Sequence, residues 1–190
     1  MAAAKSLTPL ELERVLAYAA QHTNAERNQL MLLTSVLAGL RVSEIAGLTI
    51  GDVRELDGTV RTEVYLAAAR VKNAHARTVF INTRLQHMLA AYIAARTWHT
   101  PDQPLFATIR GVRHGFTANT LAQHFHYLYR RAGVKGASSH SGRKTFLTSL
   151  ASQGVSVFVL AALAGHKCIA TTQKYITVND DTKRRAVELV

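Results

Sequence analysis

Residues 138–176, SSHSGRKTFLTSLASQGVSVFVLAALAGHKCIATTQKYI, decide how this chain is read. They carry His140, Arg143, Lys144, His166, Lys167, Lys174 and Tyr175 among apolar residues that suit two buried helical faces. A step of three residues puts His140 and Arg143 on one face of a helical turn, where both can reach one anion from the same side. His166 follows Arg143 by 23 residues, and Tyr175 follows His166 by nine. A second helical segment therefore separates Tyr175 from the first group and is expected to bring it back toward that anion.

Composition agrees with an anionic partner. The 190 residues contain 23 Lys and Arg against 12 Asp and Glu, a formal charge of +11, with nine His in reserve at lower pH. Such a surplus favours a polyanion, nucleic acid being the commonest. It leaves open an acidic membrane surface or a generally basic soluble protein. At 48% hydrophobic residues the chain can bury a core, and its length fits one domain. Cys168 is the only cysteine, which excludes an intramolecular disulfide and fits a reducing compartment; packing in or near the core is expected for it. The start, MAAAKSLTPLELERVL, does not read as a signal peptide. No window reaches the roughly 18 apolar residues of a membrane span.

Along the chain, Thr8-Pro9-Leu10-Glu11 is a helix start: a capping threonine, proline at the first helical position, and glutamate to complete a capping box. A second helix is expected from near Asn24 to Gly39, buried on most sides because residues 30–37 are almost continuously apolar. Between Asp52 and Ile81 the period changes. VREL, TEVYLAAARV and RTVFI read as three strands, with Asp57-Gly58 and KNAHA as turns. Residues 85–98 return to helical spacing, 100–104 form a surface loop, and the basic run 110–114 is expected to be exposed. Thr117 or Asn119 caps a helix ending at Gly133. Its face of Gln123, His126, Tyr127, Arg130 and Arg131 suits contact with DNA, or equally an ordinary amphipathic helix with Phe125 and Tyr127 in the core. A last helix follows the break at 177–181. No carboxylate or Cys/His cluster suits a metal, and no glycine loop suits a nucleotide.

H-x-x-R, then L-A-G-H, then a tyrosine nine residues later resembles the C-terminal signature of the tyrosine recombinases, the phage integrase family. The family usually has Leu before the arginine, where this chain has Gly142. A-G-L-R-V-S-E-I-A-G-L, residues 38–48, is similar to the family's first arginine box, with Arg41 at its catalytic arginine. Read alone, Arg41 and Glu44 would be a solvated helix pair worth a few tenths of a kcal/mol. Beside the later motifs Arg41 is a site residue and Glu44 a structural one that orients the helix start, since a carboxylate facing phosphate would repel it.

The resemblance covers nearly the whole chain. It implies an α+β, mainly helical catalytic domain over residues 1–190, with a small antiparallel sheet of about three strands packed on helices. A short tail (1–7) precedes it, and a C-terminal helix (180–190) docks on a neighbouring protomer or back in cis. The family's N-terminal core-binding domain is not expected. The implied reaction cleaves and rejoins DNA strands through a 3′-phosphotyrosyl link, with no cofactor and no metal. Tyr175 is its nucleophile. Arg41, Arg143 and His166 stabilise the phosphoryl oxygens, His140 is the candidate base, and Lys72 on the β-hairpin is either the proton donor or a solvated turn lysine. Arg70, His75, Arg77, Arg130, Arg131, Lys144 and Lys174 are candidate DNA contacts. The implied partners are double-stranded DNA and further copies of the chain, a tetramer on paired sites, without membrane association and in the cytoplasm. Two other classes stand beside this one: a type IB topoisomerase that nicks and reseals, and a catalytically silent DNA-binding regulator.

Overall fold

The computed structural model describes residues 4–68, 76–96, 100–108, 111–176 and 180–188. α1 (Pro9–Ala20) begins as its sequence requires: Thr8 Oγ1 accepts from the Glu11 N–H at 3.2 Å, and the Glu11 carboxylate accepts from the Thr8 N–H at 3.1 Å. α2 (Ala25–Ala38) is the central helix, with Leu30, Met31, Leu32 and Leu33 all buried. It stops at Gly39, whose φ of +65° is left-handed. α3 (Val42–Ala46) and the single turn α4 (Ile50–Val53) follow directly. β1 (Glu63–Leu66) and β2 (Arg77–Phe80) pair antiparallel in the register Val64↔Val79 and Leu66↔Arg77, turning Val64, Leu66 and Val79 inward.

α5 (Thr83–Ala94) buries Leu85, Leu89 and Ile93 against this core. β3 (Ala107–Thr108) and β4 (Gly111–Gly115) make a second two-stranded antiparallel sheet. α6 (Ala118–Arg131), capped by Thr117, buries Leu121, Phe125, Leu128 and Tyr129. The chain then runs through α7 (Ser141–Ser152), α8 (Val157–Ala164), α9 (Ile169–Gln173) and α10 (Asp180–Val187). Two apolar clusters result. The large one spans α1 to α6; the small one holds Leu147, Leu160 and Ala164, with Phe146, Leu150, Val155, Tyr175 and Ile176 against it. Two close approaches hold α7 on α2 across their seam. A Cβ built on Gly142 would lie 2.7 Å from Ser35 Oγ and 2.8 Å from Ser35 Cβ, and one on Gly39 would lie 2.5 Å from the Phe146 ring.

The mainly helical α+β class holds, but the strands differ from expectation. Two strands, not three, form between Asp52 and Ile81 in the described residues. Thr49 and Asp52 make a reciprocal cap, with Thr49 N–H to Asp52 Oδ2 at 2.7 Å and Asp52 N–H to Thr49 Oγ1 at 3.3 Å. That cap draws residues 50–53 into a helical turn, leaving one isolated bridge, Arg54↔Val60, around the Asp57-Gly58 turn. The basic run 110–114, expected to be exposed, overlaps strand β4, whose pairing with β3 its own composition does not announce.

Gly142→Ala should cost about 1–3 kcal/mol, the usual penalty for overfilling a tight contact. Urea denaturation with a double-mutant cycle against Ser35→Gly checks this, and coupling between the two is expected. An unchanged midpoint would show that α7 does not depend on this approach.

Candidate active site

Four breaks in helical structure build one cleft. Arg41 stands between Gly39 and α3, His140 immediately precedes α7, Arg143 lies in its first turn, His166 follows the α8 cap at Gly165, and Tyr175 follows α9. Together with Lys144, Lys174 and Ala4 these side chains line a cleft of about 390 Å³. Lys144 is half-buried there and Lys174 is exposed.

The arginines are held from behind. The Glu44 side chain is fully buried and accepts four bonds: Arg41 N–H at 2.7 Å and Arg77 Nη2 at 2.7 Å on Oε2, Arg41 Nη1 at 2.8 Å and Arg77 Nε at 3.3 Å on Oε1. The end of α8 supplies carbonyls that a helix leaves unpaired. Ala164 O accepts from Arg41 Nη2 at 3.2 Å and from Arg143 Nη2, while Leu163 O accepts from Arg77 Nη1 at 2.7 Å. Arg143 Nη1 also donates to Gly39 O, at the end of α2, at 2.6 Å. Both helix ends carry the negative pole of the dipole, which favours cations there. Three guanidiniums against one carboxylate leave two positive charges in excess, a field that an oxyanion satisfies.

That field sets the protonation of its neighbours. Burial, then Arg41 and Arg77, pull Arg143 down to about 9, so it remains a cation at neutral pH. Burial, then Arg143, Arg41 and Arg77, pull His166 down to about 4, so its imidazole is neutral. His166 Nδ1 lies 2.9 Å from Thr172 Oγ1 and Nε2 lies 3.4 Å from Arg143 Nη2. Arg143 Nη2 can only donate, so when Nε2 accepts from it Nδ1 carries the hydrogen and donates to Thr172 Oγ1; in the other tautomer the Thr172 hydroxyl donates to Nδ1 and Nε2 is a donor. The His166 ring stacks on Tyr175 with centroids 6.0 Å apart and planes inclined by 17°. The site can therefore hold a tetrahedral oxyanion with guanidinium and imidazole and present a phenol beside it.

Thr172 is the residue that sequence reasoning missed. It is fully buried, and only its closeness to His166 across the turn between α8 and α9 reveals its use. Arg77 is a correction: rather than meeting a phosphate, it is buried behind the cleft, because Glu44 needs a second cation. Cys168 is a second correction. It is exposed at the start of α9 and is not part of the core, since the turn there is too short to bury it. Arg130 and Arg131 are exposed at the end of α6, outside the cleft, and Tyr127 beside them is 51% exposed, so this face meets solvent. Arg70, Lys72 and His75 lie outside the described residues. Among the described residues, no group of three or more His, Cys, Asp or Glu is gathered as a metal would need.

A basic, carbonyl-anchored cleft with a tyrosine at its wall is suited to an oxyanion. The chain belongs to the phage integrase family, whose model matches residues 5–182. Tyrosine recombinase XerC of Pelobacter propionicus is 31% identical over 157 residues, which cover 82% of this chain and 49% of that protein. The chain thus spans about half the length of that relative. The crystal structure of XerA recombinase superposes with a TM-score of 0.75 at 25% identity, covering 99% of this chain and 66% of that one. The Tn1549 transposon integrase, solved with circular intermediate DNA, has the same fold, with a TM-score of 0.75 at 20% identity, covering 99% and 67%.

The depressed histidines give the protein an acid-sensitive side. His124, in α6, is also pulled down to about 4 by burial and then by Arg27. An unfolded histidine titrates near 6.5, so between about pH 6.5 and 4 the unfolded chain binds more protons and the fold loses stability as pH falls. Histidine NMR should show His124 and His166 staying neutral to about pH 4 while the denaturation midpoint declines across that window. Protonation of both near pH 6.5 would contradict the burial argument.

Proposed function

We propose that this chain is the catalytic part of a site-specific DNA recombinase that cleaves and rejoins strands through a tyrosyl phosphodiester. The observation that carries the reading is the gathering of Arg41, Arg143, His140, His166 and Tyr175 around one positively charged cleft. The Tyr175 oxygen attacks phosphorus, the bond to the 5′-oxygen breaks, and the strand is left as a 3′-phosphotyrosyl ester with a free 5′-hydroxyl. Attack by a 5′-hydroxyl from a partner duplex reverses the step, so the bond energy is conserved without ATP. Arg41 and Arg143 stabilise charge on the non-bridging oxygens, and their planar forks match two oxygens each. His166 donates to one of these oxygens. His140, exposed at the rim, receives the phenol proton. Lys72 protonates the leaving oxygen.

Double-stranded DNA is the partner, in a tetramer on paired sites that keeps the protein with DNA in the cytoplasm. Lys144 and Lys174 beside the cleft, with Arg130 and Arg131 on α6, contact backbone phosphates, as do Arg70 and His75. Val187, 70% exposed on α10, supports docking of that helix on a neighbouring copy. No helix in the described residues is long and apolar enough to cross a membrane.

Tyr175→Phe should bind duplex DNA like the wild type and form no covalent adduct, read as loss of the slow-migrating species on a nicked suicide substrate. An adduct in undiminished yield would overturn the assignment. Recombinant joints from paired sites separate strand exchange from nicking and resealing alone.

For Lys72 the leaving group decides. Lys72→Ala should slow cleavage of a normal phosphodiester, and a 5′-bridging phosphorothiolate, whose thiolate leaves without a proton, should restore most of the rate. Arg143→Ala should gain no such rescue. Equal slowing of both substrates by Lys72→Ala would leave the lysine as a DNA contact.

A further inference from the structure

Arg77 lies outside the cleft, yet it ties together two of the elements that hold it, α3 through Glu44 and the end of α8 through Leu163. It opens β2 opposite Leu66, and its side chain is 6% exposed. Its fork meets both Glu44 oxygens, and its remaining nitrogen donates to Leu163 O, one residue before the carbonyl shared by Arg41 and Arg143. Its stem lies against Gly165, where an added Cβ would come within 2.7 Å of Arg77 Cδ, and His166 is the next residue. The left-handed φ of +59° at Gly165 and this contact both require glycine there.

The charges explain why a third arginine is needed. Glu44 orients Arg41, but a carboxylate paired with Arg41 alone would cancel the charge that an anion is meant to feel. Arg77 supplies the cancelling charge from the far side. We propose that Arg77 is a positioning residue of the cleft, which holds Glu44 as a carboxylate and ties it to the end of α8, so that Arg41 and Arg143 keep both their place and their charge. The role of Arg41 and Arg143 in cleavage rests on the recombinase reading; the role of Arg77 toward Glu44 does not.

The groups facing Glu44 are Arg41 at the start of α3, Arg77 from β2 and, farther off, Arg143 from α7. Burial drives the Glu44 carboxyl upward, but the hydrogen bonds and charge of Arg77, followed by those of Arg41, more than offset it and hold it below the usual carboxylate range. Removing Arg77 leaves two of the four bonds to a buried carboxylate unmade, which favours protonation.

The test compares Arg77→Met, which keeps an apolar stem, with Arg77→Lys, which keeps a charge without the fork. Carbon-13 NMR follows the Glu44 carboxyl against pH, and covalent adduct formation is measured across the same range. In Arg77→Met, Glu44 should titrate at higher pH than in the wild type. Cleavage should fall by about 10²-fold, the usual effect of misplacing catalytic groups from a distance, and its acid limb should move up with Glu44. Adding Glu44→Gln should remove that moved limb. Arg77→Lys should keep the wild-type Glu44 titration and acid limb, yet cleave more slowly because the link to Leu163 is gone. A Glu44 titration that is the same in wild type and Arg77→Met would overturn the proposal, as would a loss of thermal stability with no change in pH profile. Should Arg77→Met not fold, Arg77→Lys decides, and cleavage at the wild-type rate would refute the bridging role. Wild-type protein that forms no adduct would overturn the recombinase reading and leave the Glu44 titration to judge Arg77.

Discussion

A single buried carboxylate, Glu44, is the point on which the cleft depends. Taking a charge out of water costs several kcal/mol unless its partners are well placed. Here all four bonding directions of the carboxylate are used, by a backbone N–H and by two guanidiniums from different parts of the chain. Removal of any one partner exposes the burial cost of the others, so α3, β2 and the end of α8 are fixed together or not at all. An apolar contact of the same size would hold these elements as firmly but could not aim Arg41, because a guanidinium needs an acceptor in a defined plane.

Helix ends provide the rest of the frame. α2 and α8 both finish in a left-handed glycine, with φ of +65° at Gly39 and +59° at Gly165. Each turn frees carbonyls near the glycine, and Gly39 O and Ala164 O grip Arg143 from two sides. Each glycine is also a packing surface, for the Phe146 ring in one case and the Arg77 stem in the other. Arg143 is thereby buried at the back of the cleft, while Lys144 and Lys174 stay nearer to solvent.

Much of this was legible in the residues. The Thr8-Pro9-Glu11 cap, the apolar run of α2 and its glycine stop are local signals, and local bonds satisfied them. His140, Arg143, His166 and Tyr175 were readable from their spacing and Arg41 from the resemblance of its box to the tyrosine recombinases, and the fold brings all five to one cleft. What failed was non-local or lost a local contest. The strand expected at VREL gave way to a threonine–aspartate cap just before it, between Thr49 and Asp52. β4 exists because β3 is beside it, and Thr172 matters because α9 lays it against His166. Arg77 looked like any basic residue after a hairpin; its partner lies 33 positions earlier, and only the folded chain reveals it.

The same burial divides the work of the two histidines. A proton placed on His166 would stand next to Arg143 and within the field of Arg41 and Arg77, with no carboxylate among the described residues bonded to the ring. It is thereby confined to a neutral role, donating or accepting through a tautomer that the Thr172 hydroxyl can set. His140 lies at the mouth of the cleft, exposed, one residue ahead of α7 and three ahead of Arg143. Water reaches the ring there, whereas the ring of His166 is half-buried between Thr172 and Arg143. If the phenol of Tyr175 gives its proton to a histidine, electrostatics direct it outward to His140, and the stacked ring of His166 keeps the tyrosine in place while it leaves.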